Sequence, residues 1–88
     1  MYEWDEDKNK LNIEKHGISF DEAKKVFDDP DRLTLFDKGH SHAEDRYFCI
    51  GNVNGGILTV RFVIRNAVIR IIGAGYWRGG KRRYEERN

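Results

Sequence analysis

Asn54-Gly55-Gly56-Ile57-Leu58-Thr59-Val60-Arg61-Phe62-Val63-Ile64-Arg65-Asn66 holds two turn signals with one full strand between them. Asn-Gly suits the two positive-φ positions of a two-residue hairpin, and Arg65-Asn66 offers a weaker second turn. Between them Leu58, Val60, Phe62 and Ile64 alternate with Thr59, Arg61 and Val63, the pattern of a strand with one face on a core and the other partly open. Strand-like segments at 32–36, 46–53 and 68–74 stand around this one at 57–64, so the chain from residue 32 to 74 predicts an antiparallel meander.

Working back toward the N-terminus, Tyr2–Trp4 reads as a short strand and Asp5 as the cap of a helix spanning Glu6–His16. Glu6 and Asp7 sit where the helix dipole favours anions, Lys15 and His16 where it favours cations, and Gly17 takes the place of a left-handed C-cap. The apolar content of this helix is thin, with Leu11 and Ile13 alone. Ser19-Phe20-Asp21-Glu22 is a capping box that opens a second helix. Phe20, Ala23, Val26 and Phe27 fall on one stripe facing a core, and Asp29-Pro30 ends it, because the residue before proline avoids helical dihedrals. Beyond Gly75 the pattern breaks into Tyr76-Trp77-Arg78-Gly79-Gly80 and a basic tail, residues 81–87, with helical character. The expected architecture is one α+β domain over residues 1–88: two N-terminal helices packed on an antiparallel sheet, with a basic C-terminal tail.

Eighty-eight residues supply one modest core and leave no room for a second domain. No apolar run approaches the length of a membrane span and the N-terminus lacks a signal-peptide pattern, which predicts a cytoplasmic protein with no membrane partner. The lone Cys49 falls in a strand segment and is expected to be a small core residue rather than a nucleophile. A net charge of +1 conceals a strong asymmetry. Residues 1–45 carry 7 Lys/Arg against 13 Asp/Glu, whereas residues 46–88 carry 9 against 2. Such a split points to a polyanionic partner for the second half, or to two halves that neutralise each other across the fold.

Gly73-Ala74-Gly75 after a strand resembles the start of a dinucleotide-binding turn, but its sixth position is Arg78 and only ten residues remain, too few for the unit that motif requires. No cofactor is expected, and the glycines are read as a bend off the sheet. His40 and His42, with Asp37 and Asp45, lack the spacing of a structural zinc site, so the segment is read as a solvated loop that holds no metal.

The basic residues are better constrained. Arg61 lies opposite the core face, and if Ile69 and Ile71 point to the core then Arg70 falls on the Arg61 side, across or diagonal to it. Arg78, Lys81, Arg82 and Arg83 follow from the chain end. Guanidinium groups so clustered can hold a phosphate and stabilise the extra charge of a phosphorane-like transition state. Tyr76 and Trp77 interleave with the cations, an arrangement suited to single-stranded RNA, whose bases stack on aromatic rings while cations follow the backbone.

Asn12-Ile13-Glu14-Lys15-His16-Gly17-Ile18-Ser19-Phe20-Asp21-Glu22-Ala23, followed by Val26-Phe27-Asp28-Asp29-Pro30, resembles the N-terminal signature of the BrnT family. Tyr2-Glu3-Trp4-Asp5, Glu44-Asp45-Arg46-Tyr47, Gly51 and Ile69-Arg70-Ile71-Ile72 match the family pattern in order, so the resemblance covers nearly the whole chain. It implies a RelE-like fold, a metal-independent ribonuclease activity that arrests translation, and a BrnA-like ribbon-helix-helix antitoxin through which the protein would meet DNA only indirectly. At Gly73-Ala74-Gly75-Tyr76-Trp77-Arg78 the chain departs from the family's Ser-Ala-Arg step: an arginine is lost at Gly75, and Arg78 is the candidate to replace it.

A ribonuclease of this kind must deprotonate a 2′-hydroxyl, stabilise the phosphorane and protonate the leaving oxygen. Arg61 and Arg70 are the expected charge stabilisers, with Arg78 assisting. His16 or Lys15 would transfer protons if the first helix ends beside the open sheet face. Tyr76, Trp77, Lys81, Arg82 and Arg83 would bind RNA. The competing reading is a catalytically silent module that binds an antitoxin-like partner or a nucleic acid.

Overall fold

The computed structural model describes residues 1–87; Asn88, the last residue of the expected domain, lies outside them. The central hairpin joins β3 (Tyr47–Val53) to β4 (Gly56–Arg65) through Asn54 and Gly55, whose φ values of 52° and 89° are those of the expected positive-φ turn. The second hairpin leads into β5 (Val68–Gly75) through Asn66 and Ala67, at 52° and 63°. With β1 (Tyr2–Trp4) and β2 (Leu33–Phe36) these strands form one sheet in the order β1-β5-β4-β3-β2. The meander is antiparallel as expected, but β1 pairs with β5 in parallel, Tyr2 facing Ile69 and Trp4 facing Ile71. The sheet is therefore mixed. A strand placed before the helices returns to the edge beside the last strand, and its direction follows from that crossover.

Helix α1 occupies Glu6–His16, with Asp5 Oδ1 accepting from the Asp7 and Lys8 amides and Gly17 at φ 69° closing it. It does not pack through Leu11 and Ile13, which are exposed. Its inward face is polar, made of buried Asn9 and Asn12. Asn9 Oδ1 accepts from Phe20 N at 2.7 Å; Asn12 Nδ2 donates to Ile18 O at 2.8 Å and its Oδ1 accepts from Ala74 N at 3.1 Å. Because β1 stops opposite Ile71, β5 has no strand on that side at Ala74, and Asn12 takes the place of the missing ladder partner for the Ala74 amide.

The second helix departs from expectation. Ser19 caps it by accepting from Glu22 N at 3.1 Å, but regular helix α2 covers only Phe20–Ala23 and the chain tightens into a 3-10 turn over Lys24–Asp28. One full N-terminal helix and a single turn thus stand where two helices were expected. The stripe survives the change: Phe20, Ala23 and Val26 are fully buried and Phe27 partly so, its ring edge-on to Phe62 at 5.2 Å. The 3-10 turn lies so close to β3 that a Cβ at Gly51 would come within 3.0 Å of Val26 Cγ2 and 3.1 Å of Val26 O.

These residues cover one sheet face, where Cys49, Val53, Leu58, Val60, Phe62, Ile71 and Ala74 complete the core. Burial pushes the Cys49 thiol up to about 11, that of an unreactive core thiol. At the far end of β4 the expected alternation reverses: Ile64, expected on the core face, is exposed, and Val63, expected on the open one, is buried. The tail forms helix α3 (Arg78–Glu86), which crosses the second sheet face with Gly80 pressed on Thr59. Its far end is tied down by Tyr84 Oη, which donates to Asp29 Oδ2 at 2.6 Å, and by Arg87, which donates to the Asp31 and Arg32 carbonyls. Among the described residues no helix is long and apolar enough to cross a membrane.

Candidate active site

Alternation along β4 sends Arg61 to the face away from the core, where its cross-strand partner on β5 is Gly73. A Cβ at Gly73 would lie 2.9 Å from Arg61 Nη2 and 3.1 Å from Nε, so the guanidinium lies flat on the strand where a side chain is missing. The Trp77 ring sits beside it, its centroid 5.4 Å from Arg61 Cζ, within cation–π range. Gly75 plays the same part for the ring, since a Cβ there would come within 3.0 Å of Trp77 Cε2 and Cζ2. Gly73 and Gly75 therefore seat an arginine and a tryptophan, and their role as a bend off the sheet gives way to this.

Helix α1 ends against the same place. The His16 ring meets Trp77 edge-on at 5.5 Å between centroids. Lys8, Lys15, His16 and Arg61 line one cavity of about 250 Å³, with Gly73 and Ile72 in its wall. Ile72 is the extra residue of a bulge, where the β4–β5 register shifts between Arg61 and Phe62. Among the described residues no carboxylate lines this cavity, and none of Lys8, Lys15, His16 and Arg61 makes an ion pair. Arg61 Nε is buried and has no hydrogen-bond partner among the described residues. The arrangement is a site for an anion, with a guanidinium as fixed donor and an imidazole and an ammonium beside it.

The other expected site residues are distributed around this centre. Arg70 shares the sheet face with Arg61 but stands opposite Val63, displaced by the bulge, and its Nη1 is 3.0 Å from Glu3 Oε2 on the neighbouring β1. Arg78, Lys81 and Tyr76 line a separate cavity of about 430 Å³ by the first hairpin, where the Tyr76 ring rests on Gly56. Arg83 lines a third hollow under α3, and Arg82 is exposed. Sequence reading brought out Lys15, His16, Arg61 and Trp77 but missed Lys8. The signal for it was there: Lys8 is seven residues from Lys15, two helical turns along one face.

Elsewhere the two charge halves meet in part. Arg65 grips Glu44 with two hydrogen bonds of 2.7 and 2.8 Å, which hold the Glu44 carboxyl below its ordinary value. His40 Nδ1 lies 3.0 Å from Asp37 Oδ2, and Ser41 Oγ donates to Asp37 O, so this loop is organised by its own side chains. No group of three or more His, Cys, Asp or Glu side chains able to hold a metal ion occurs among the described residues.

Comparison with curated proteins finds no match. A family model described as "Ribonuclease toxin, BrnT, of type II toxin-antitoxin system" matches residues 4–79, a span that begins at the last residue of β1, contains α1, Arg61, Gly73 and Trp77, and ends at the start of α3. A cationic cavity assembled between the first helix and the last strand thus lies within the matched span, and the chain belongs to the BrnT family of ribonuclease toxins of type II toxin–antitoxin systems.

Proposed function

We propose that this protein is a metal-independent endoribonuclease of RelE-like type that acts in the cytoplasm, cleaving RNA and arresting translation, with its reacting groups in the cavity shared by Arg61, His16 and Lys15. The observation that carries this reading is the convergence of those three side chains on one unpaired cationic cavity. Arg61, held between Gly73 and Trp77, binds the scissile phosphate and stabilises the charge gained as the 2′-oxygen attacks phosphorus. His16 and Lys15 move the two protons, one taken from the 2′-hydroxyl and one given to the departing 5′-oxygen, leaving a 2′,3′-cyclic phosphate. A divalent cation favours oxygen ligands, and a cavity whose charged groups are all cationic is a poor place for one. Arg70 and Arg78 stand outside the cavity and, with Lys81, Arg82, Arg83 and Tyr76, serve the flanking chain.

A surface that cleaves the cell's own RNA needs a cover. A BrnA-like ribbon-helix-helix antitoxin would place carboxylates on Arg61 and Lys15 where phosphates otherwise sit, because burying these cations unpaired would cost too much. Contact with DNA would come only through that partner. The test is incubation of the purified protein with RNA in excess chelator. Fragments ending in 2′,3′-cyclic phosphate, and none from a substrate carrying 2′-deoxyribose at the cut, are expected. Intact RNA at micromolar protein would instead support a silent binding module.

A further inference from the structure

Four residues stand in one row across the second sheet face: Leu35 on β2 faces Phe48 on β3, Phe48 faces Arg61 on β4, and Arg61 faces Gly73 on β5. With strands about 4.8 Å apart, the row passes from apolar to aromatic to cationic over roughly 10 Å. The next row, Leu33, Ile50, Thr59 and Gly75, is uncharged. Trp77 stands over the junction. On the side away from the cationic cavity, a cleft of about 380 Å³ is walled by Leu35, Phe48, Ile50 and Trp77, with Thr59 and Arg83 also on its lining. A further depression, lined by Phe48, Arg61 and Trp77, shares members with both hollows and makes them one groove.

We propose that the apolar cleft is a nucleobase subsite, which receives the base of a nucleotide bordering the scissile phosphate while that phosphate rests on Arg61. The inference deepens the ribonuclease reading and rests on it. The occupant is specified by the groove as a whole, because a ligand that fills it must be anionic at the Arg61 end and flat and largely apolar at the other. An RNA nucleotide has that distribution, and every base offers a face to stack on an aromatic ring. Thr59 Oγ1 is the second buried side-chain polar atom without a partner among the described residues, Arg61 Nε being the first, and both belong to these two rows. Phe48 and Leu35 would then set which base is accepted, by stacking and by the depth of the cleft.

The experiment is an NMR titration, in chelator, with the four ribonucleoside monophosphates and with ribose 5-phosphate. At least one nucleotide is expected to bind roughly tenfold or more tightly than ribose 5-phosphate, the low to middle range of base–aromatic stacking. Phe48→Ala should erase that advantage and leave the affinity for ribose 5-phosphate unchanged. Phe48→Leu, which keeps an apolar residue on the strand, should do the same in a protein whose amide spectrum is intact. Equal binding of nucleotides and ribose 5-phosphate, or a Phe48→Leu effect equal on both, overturns the subsite alone and leaves the phosphate site standing. If neither ligand binds, the phosphate site and the subsite fall together.

Discussion

Gly73 decides how Arg61 lies, although it has no side chain to touch it with. A methyl group added there would meet the guanidinium at 2.9 Å, and the guanidinium, being the end of a flexible chain, would move. Gly73→Ala is therefore expected to leave the melting temperature nearly unchanged and to lower kcat by about 10- to 100-fold, since misplacing a reacting group by about 1 Å costs that much. An unaltered kcat would show that the seat of Arg61 is irrelevant to the chemistry. Asp29 and Tyr84 are a second pair whose effect is local. Partial burial alone would raise the Asp29 carboxyl, but hydrogen bonds from Asn52 N, Tyr84 Oη and Asp31 N and the charge of Arg87 together hold it below its ordinary value. The same hydrogen bond, with burial and the Asp29 charge, pushes Tyr84 up to about 12. The raised tyrosine stabilises the fold fully below the ~10 of an unfolded tyrosine, and that stability fades as pH climbs toward about 12. The depressed carboxyl contributes above its unfolded value near 4 and is lost as pH falls through the lower folded one. Tyr84→Phe should cost about 0.5–1 kcal/mol at pH 7 for a partly solvated bond. In urea melts the difference between the two proteins should shrink above pH 10; a constant difference would contradict the assignment.

Among the elements, the second hairpin is the one built against local preference. Asn66 tolerates the left-handed region, but Ala67 at φ 63° does not, and it stands where glycine would be free of strain. Ala67→Gly should raise stability by about 1 kcal/mol in a denaturant melt without altering the sheet; a loss would mean that the turn is not strained. Elements were read from the sequence where local chemistry settles them. Asp5, Gly17 and Ser19 cap as their side chains and dihedrals dictate, and the alternation in 57–64 sorted Leu58 and Phe62 from Arg61. What escaped depends on neighbours distant in sequence. The inward face of α1 is Asn9 and Asn12 because Phe20 N, Ile18 O and Ala74 N need partners, and periodicity of apolar residues is blind to that. The parallel pairing of β1 and the tightening of residues 24–28 onto Gly51 likewise follow from packing between segments.

Over the whole molecule the acidic and basic halves neutralise each other only at the margins. Glu3 takes Arg70 and Glu44 takes Arg65, while among the described residues Arg61, Lys15 and Lys8 are left without carboxylates. The charge split in the sequence therefore pointed to a polyanion, but it could not say which arginines would be spent within the fold. Arg61 and Arg70 look equivalent by alternation; a one-residue bulge and a parallel β1 separate them, turning one toward His16 and Trp77 and the other toward Glu3. That separation is the sharpest test of the account. Single-turnover cleavage of an oligoribonucleotide in chelator should be slowed at least ~100-fold by Arg61→Ala, the scale of losing one transition-state donor, and only a few-fold by Arg70→Ala. If Arg70→Ala is as damaging as Arg61→Ala, or if Arg61→Ala cleaves at the original rate, the cavity between α1 and β5 is not where the RNA is cut.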